Sequence, residues 1–307
     1  MDALRQSKVF AILVLVAVLI VVWYLAAIWL NAPVILDRLS REGVTPDFID
    51  LVLRTWSYNR PILPVPHQVA IDLFNSTLTL APANKRSLIY HAWITLSATL
   101  LGFVLGTVLG IALAVFIVHN AAANRSLMPW IIASQTVPIL AVAPVIVVLF
   151  FNLLTGQNLI AQTLRLNADG AQLVSKGVIS MYLSFFPVVV GMVKGLRSPE
   201  IIQLDLMRTY NATGLQTLRM LRWPAAVPFL FASMKVGVAA SLVGAIVAEL
   251  PTGAQAGIGA KLLIGSYNGQ TIQIWSALIL ASILAGVLVA IVGLVERAAI
   301  RAMGAQA

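Results

Sequence analysis

The first long apolar run of the chain is enough to cross a bilayer. Residues 9–30 contain no Asp, Glu, Lys or Arg, and a helix needs about 20 consecutive apolar residues to span the hydrocarbon core. Arg5 and Lys8 precede the run, and Trp23, Tyr24 and Trp29 lie toward its far end, the pattern of a basic flank and an aromatic belt. A retained membrane helix is expected rather than a cleaved leader, whose apolar core is shorter and ends at a small-residue cleavage site. Five further runs follow at about 93–118, 127–151, 177–196, 227–250 and 271–295. Runs of this length satisfy their backbone hydrogen bonds in lipid as helices. The expected fold is therefore all-α and polytopic, a single transmembrane domain over 1–307 with six transmembrane helices and both termini on one side.

Composition agrees and narrows the function. At 60% hydrophobic and 10% charged residues, the chain has too few charges to cover a water-soluble surface. Its net charge of +9 is spread among the apolar spans instead of forming one basic face, which favours lipid headgroups as the partner over nucleic acid. There is no cysteine, which excludes thiol chemistry and Cys-ligated metal. His67, His91 and His119 lack metal-ligand spacing and are expected in loops or at interfaces, so no metal or catalytic residue is assigned. Lys and Arg are only slightly more frequent on the side of the termini. Discounting the long stretch between the first two spans, where charge steers topology weakly, places both termini in the cytoplasm.

That long stretch, residues 31–90, is an outer segment with short helices. Thr45 and Pro46 suit an N-cap and first helical position, followed by Ile49, Val52, Leu53 and Trp56 on one face, with Asp50 and Arg54 spaced to pair. After the Leu63-Pro64-Val65-Pro66 break, Val69, Leu73 and Phe74 form a second apolar stripe. Both helices suit the membrane surface or packing against other helices. A second insert, residues 152–176, carries Gly156, Asn158, Asn167, Asp169 and Gly170 and reads as an outer loop with one helical turn.

Gly102, Gly106 and Gly110 fall on one face of the second span and predict close helix packing. Pro138 and Pro144 each remove a backbone hydrogen bond from the third span and predict kinks. Pathway or gate candidates are Pro138, Pro144, Gln135, Ser241 and Glu249, with Thr136, Asn152 and Asn268 as further polar lining. Glu249 suits either a solvated helix end or a gate, and Lys235 is expected to snorkel to the cytoplasmic surface.

Between the fourth and fifth spans, residues 197–226 carry two helix-start signals. Ser198, Pro199 and Glu200 suit N-cap, first position and first-turn acid, and Thr213-Gly214-Leu215-Gln216 suits a capping box. Leu215, Leu218 and Leu221 form an apolar stripe, and Pro224 is expected to end the second helix. Two capped helices with an apolar stripe exceed what a solvated loop needs and point to a docked partner.

Here the chain resembles the inner-membrane permeases of binding-protein-dependent ABC importers. Their loop carries Glu-Ala-Ala, a Gly after three intervening residues, then Ile-x-Leu-Pro; the same spacing holds Asp205-Leu206-Met207, Asn211 and Leu221-Arg222-Trp223-Pro224. Pro224 is identical and Asp205 keeps the acid, while Leu206, Met207, Asn211 and Trp223 depart. At the position of the family's Gly, Asn211 tolerates the left-handed region better than most non-glycine residues. Leu63-Pro64-Val65-Pro66, Gly102 to Gly110, Pro138 to Pro144 and Glu249 with Gly257-Ile258-Gly259 are similar to the nitrate, sulfonate and taurine branch, from about Pro61 onward.

The resemblance implies a type I ABC importer permease of the bacterial inner membrane, not itself an enzyme. It implies a second permease copy, a homodimer by expectation, an external solute-binding protein, and a cytoplasmic ABC ATPase dimer. ATPase docking falls to Asp205, Leu206, Met207, Arg208, Asn211, Ala212, Leu215, Leu218, Leu221 and Pro224. ATP and Mg belong to that partner: this sequence has no GxxxxGK[ST] loop. An ion-coupled secondary transporter would place ionisable residues inside the membrane, where these spans are nearly charge-free. A membrane enzyme would need a paired-carboxylate or Ser and His constellation, which is lacking. A structural membrane subunit stays open on composition alone. The solute is expected to be a small polar organic molecule or anion.

Overall fold

The computed structural model describes residues 8–156, 159–164, 166–250 and 256–303. Arg5 and Asn158 of the sequence reading lie outside them. Among the described residues the regular structure is helical throughout. Five helices are long and apolar enough to cross a membrane, or six if one bent pair counts as a single span. The contacts divide the chain into two compact units: residues 1–90 with 261–280, and residues 91–260 with 281–307.

The first unit is built on α1 (Lys8–Arg41), α2 (Phe48–Ser57) and α3 (Pro66–Phe74), with a π-helical turn at Asn75–Thr79. It also takes most of α12 (Ile258–Tyr267) and the start of α13 (Thr271–Ala302). α1 runs well past the expected end at residue 30 because residues 32–36 are apolar and Asn31 finds tertiary partners. Its Oδ1 accepts the Ile62 and Leu63 N–H groups at 2.7 and 3.3 Å, and its Nδ2 donates to the Leu63 carbonyl at 2.8 Å. The Leu63-Pro64-Val65-Pro66 break is accordingly a largely buried junction between helices. Trp23 Nε1 donates to the Pro64 carbonyl at 2.9 Å, Thr271 Oγ1 donates to the Pro61 carbonyl at 2.5 Å, and Trp23 packs against Trp275 with ring centres 4.9 Å apart. Pro66 opens α3 at a position where a missing N–H costs nothing.

α2 begins two residues later than expected. Asp47, extended at ψ 158°, is its N-cap, and its carbonyl accepts the Leu51 N–H at 2.9 Å, leaving Thr45 and Pro46 in the lead-in. The Asp50 and Arg54 pair is present at 2.8 Å.

The second unit holds most of α4 (Leu88–His119), then α5 (Ala121–Ser134), α6 (Ile139–Thr155), α7 (Leu159–Leu164), α8 (Ala168–Leu196), α9 (Ile201–Thr209), α10 (Gly214–Thr217), α11 (Trp223–Glu249) and the end of α13. α4, α8 and α11 approach closely because small residues line their contacts. A Cβ at Gly106 would collide with Ser184 Oγ, one at Gly102 with Ser180 Cβ, and one at Gly110 would lie 2.8 Å from Val188. The hydroxyls on these faces bridge helices: Ser180 Oγ donates to the Ser241 carbonyl at 2.5 Å, Ser241 Oγ to the Thr99 carbonyl at 2.8 Å, and Ser184 Oγ to the Gly102 carbonyl at 3.3 Å. Below them Ile117, Val188, Val189, Met192, Leu196 and Leu230 form the core.

The third span differs most from expectation. Instead of one kinked helix over 127–151, α5 and α6 are separate and bent by 102°. Pro138 is the N-cap of α6, and a proline disfavours the α region at the residue before it, while Gln135 and Thr136 close α5 with i→i−3 bonds to Ile132 and Ala133. The Tyr182 hydroxyl donates to the Ser134 carbonyl and fixes the end of α5. Pro144 lies inside α6 without ending it. The insert expected as a loop over 152–176 is largely helical. Asn167 Oδ1 accepts the Gly170 N–H at 2.8 Å and starts α8 at Ala168, so Asp169, Gly170 and Lys176 are helical.

One other expectation is corrected. Pro224 does not end the second helix of the 197–226 segment: helix continues from Gly214 to Glu249. A π-helical turn at Leu218–Arg222 widens the ladder before Pro224, whose missing N–H falls in the first turn of α11. Lys235 has a partner the sequence did not show: its Nζ meets Glu296 Oε2 at 2.5 Å, joining α11 to α13.

Candidate functional site

Two places in the second unit gather the residues singled out by sequence. The first is the turn between α9 and α11. Glu200, not Ser198, is the N-cap of α9, since Gln203 Oε1 accepts the Glu200 N–H at 3.0 Å while Ser198 Oγ donates back to the Gly195 carbonyl at 2.8 Å. Asn211 has φ 51°, the only non-glycine residue with positive φ among those described. This left-handed step lets the Asn211 N–H reach the Arg208 carbonyl at 2.8 Å and the Ala212 N–H reach the Met207 carbonyl at 3.0 Å, the closure with which helices commonly end at Gly or Asn. Thr213 then starts α10 with a reciprocal capping box: Gln216 Oε1 accepts the Thr213 N–H at 2.7 Å, and Thr213 Oγ1 accepts the Gln216 N–H at 3.3 Å.

This fixed turn presents apolar surface that nothing in the described chain covers. Ile201 is 78% exposed, Tyr210 77% and Met220 72%, and Leu206 and Leu215 are more than half exposed. Asp205 and Arg208 pair at 3.0 Å on the same surface. Met207, Ala212, Leu218 and Leu221 are half-buried, and Leu218 packs against the core beneath. The stripe expected from Leu215, Leu218 and Leu221 is thus divided: Leu215 faces outward, Leu218 holds the turn to the core and Leu221 is half-buried.

The second place surrounds Glu249. Its side chain is fully buried, so it is neither a solvated helix end nor an open lining residue. Three successive backbone N–H groups at the start of α12 are captured by side chains. His91 Nδ1 accepts the Gly257 N–H at 2.9 Å, Thr95 Oγ1 accepts the Ile258 N–H at 2.9 Å, and Glu249 Oε2 accepts the Gly259 N–H at 2.8 Å. Thr95 Oγ1 lies 3.0 Å from both Glu249 oxygens, to which it donates. Lys176 Nζ stands 3.8 Å from Glu249 Oε1 and donates to the Ala256 carbonyl at 3.4 Å. Gly257 has φ 127°, and a Cβ there would run into the Glu249 carboxyl group. The arrangement holds a backbone turn; it offers no open position for a nucleophile or a reacting substrate.

His91, expected in a loop or at an interface, is instead buried within this cluster. The sequence reading missed Thr95 and Lys176 as its members. The available signal was His91 and Thr95 four residues apart in an otherwise apolar run, which places both on one helix face.

The remaining candidates separate. Ser241 is fully buried in its bond to Thr99 and does not line an opening. Gln135, Thr136 and Pro138 stand exposed at the break between α5 and α6. Among the described residues no group of three or more His, Asp or Glu could hold a metal ion.

Bundled apolar helices joined by small residues, with a capped helical turn projecting an uncovered apolar surface, define a membrane-embedded subunit made to work with partners. Residues 106–304 match the family described as binding-protein-dependent transport system inner membrane component. The chain belongs to this family, the inner-membrane permeases of ABC importers. It is 28% identical over 238 residues, 78% of its length and 86% of the relative's, to a probable ABC transporter permease protein of Haemophilus influenzae. It is 31% identical over 211 residues, covering 69% and 71% of the two chains, to the riboflavin transport system permease protein RibX of Chloroflexus aurantiacus. Identity is 29% over 202 residues, covering 64% and 68%, to the formylaminopyrimidine transport permease protein ThiX of Halalkalibacterium halodurans.

Proposed function

We propose that this permease forms the pathway for a small polar organic solute, delivered from outside by a solute-binding protein and driven by a cytoplasmic ATPase docked at Ile201–Arg222. The observation that carries it is the fixed, outward apolar surface of Ile201, Leu206, Tyr210, Leu215 and Met220 around the left-handed Asn211. A surface held by two caps moves as one body, so ATP-driven closure of the partner would be transmitted into α11, which continues from that turn without interruption. ATP and Mg chemistry belongs to the partner, both termini lie on the same cytoplasmic side as the turn, and two copies of this chain enclose the pathway. Two of the relatives are named for nitrogen heterocycles, riboflavin and a formylaminopyrimidine. A polar nitrogen heterocycle is therefore the solute class to screen first.

The test co-expresses the chain with the ATPase and solute-binding protein encoded beside it and purifies through a tag on the permease. The expected result is a stoichiometric ATP-binding subunit that is lost from the Leu206→Asp, Leu215→Asp double variant, along with uptake. Normal uptake by the double variant would overturn the docking assignment.

A further inference from the structure

We propose that the cavity between the end of α1 and the end of α2 is a binding site for the phosphate of an anionic phospholipid headgroup. The cavity, about 430 Å³, is lined by Ile35, Leu39 and Tyr58 together with Arg38, Arg54 and Arg60. Glu42 is the single acid on its wall, so the lining carries net positive charge. The arginines keep their binding capacity. Arg38 contacts Glu42 through Nε at 3.3 Å, and Arg54 contacts Asp50 through Nε at 2.8 Å, which leaves the terminal amino groups of both guanidinium forks uncommitted. Arg60 has no acidic partner among the described residues. Guanidinium groups match phosphate oxygens in a planar, two-pronged geometry that a point charge cannot supply.

The depth of the cavity selects the source of the phosphate. Residues 9–36 carry no charge, and at 1.5 Å per residue they extend about 42 Å along α1. A bilayer with its headgroup layers measures about 40–45 Å. Arg38, one half-turn beyond that stretch, therefore sits at headgroup level. Phe48, Ile49 and Leu53 of α2 are exposed beside it, as expected of a surface helix whose apolar residues dip into the acyl boundary. Ile35 and Leu39, buried at the back of the cavity, suit the glycerol end of a headgroup better than a fully hydrated inorganic anion.

The experiment uses the full chain with its partner subunits, delipidated in detergent, and counts retained lipid by native mass spectrometry. The probes are phosphatidylglycerol and phosphatidylcholine. Phosphatidylglycerol should be retained in preference, and the Arg38→Gln, Arg54→Gln, Arg60→Gln triple variant should weaken it by on the order of 100-fold, about fivefold for each guanidinium removed. The replaced ion pairs are exposed, so the triple variant should keep its helix content. If it does not fold, Glu42→Gln decides, because removing the one acid should strengthen retention. Equal retention of both lipids, equal retention by wild type and triple variant, or no gain from Glu42→Gln would each overturn the proposal. Glycerol 3-phosphate displacing the lipid at low millimolar concentration would assign the same phosphate chemistry to a soluble anion and overturn the lipid source.

Discussion

At the residue scale, the buried carboxylate of Glu249 shows how one side chain can fix a backbone turn within a membrane domain. It accepts the Gly259 N–H, receives the Thr95 hydroxyl and faces the Lys176 ammonium. Removing it strands the Gly259 N–H and leaves the buried Lys176 charge without its counter-ion, while Thr95 keeps the His91 carbonyl and Lys176 the Ala256 carbonyl. Glu249→Ala should cost about 3–5 kcal/mol, the range for stranding a buried charge, and should lower the temperature at which the detergent-solubilised protein unfolds. Glu249→Gln retains an acceptor for Gly259 and Thr95 and loses only the charge facing Lys176, so its loss should be smaller. Equal losses would mean that the ion pair, not the hydrogen bonds, holds the turn. Wild-type stability of Glu249→Gln with uptake abolished would instead assign Glu249 to gating.

At the scale of elements, sequence and structure agree where one local rule acts and part where tertiary contacts intervene. The Thr213 to Gln216 capping box was legible because it needs only two residues three apart. The glycines of α4 were legible because their four-residue spacing has a single packing use. The extension of α1 was not, since Asn31 is acceptable there only through its bonds to Ile62 and Leu63, which are distant in sequence. Pro138 and Pro224 illustrate the same limit. Pro138 read as a kink and Pro224 as a helix end, yet the first separates two helices at 102° while the second is absorbed behind a π-helical turn. Which outcome prevails depends on neighbours such as Tyr182, whose hydroxyl holds the end of α5. For the turn after α9, the left-handed Asn211 makes a direct prediction. Asn211→Gly should be neutral or slightly stabilising, whereas Asn211→Val should cost about 1–2 kcal/mol, because a β-branched side chain at positive φ is strained. Thermal unfolding reads the stability, and retention of the ATP-binding subunit reads the geometry of the turn. Val tolerated on both measures would show that the turn does not need the left-handed step.

At the scale of the whole molecule, two pairs of opposite charge join spanning helices. Lys176 stands against Glu249, and Lys235 against Glu296, while the chain's surplus of +9 is left to residues that reach headgroups or water. An unpaired charge among apolar helices is costly wherever lipid replaces water, so each pair constrains which helices can be neighbours. The Lys235 pair ties α11, which continues from the docking turn, to the end of α13. Its side chains are 35% and 18% exposed, so breaking it should cost less than a fully buried pair, about 1–3 kcal/mol. Glu296→Gln should therefore lower the unfolding temperature, and Lys235→Glu with Glu296→Lys should recover much of the loss, because the reversed pair restores neutrality between the same helices. If the pair serves only to hold α11 against α13, the swapped protein should also transport at the wild-type rate. Recovered stability without recovered uptake would instead place the pair in the conformational cycle, where the orientation of the two charges, and not only their presence, biases one state over the other.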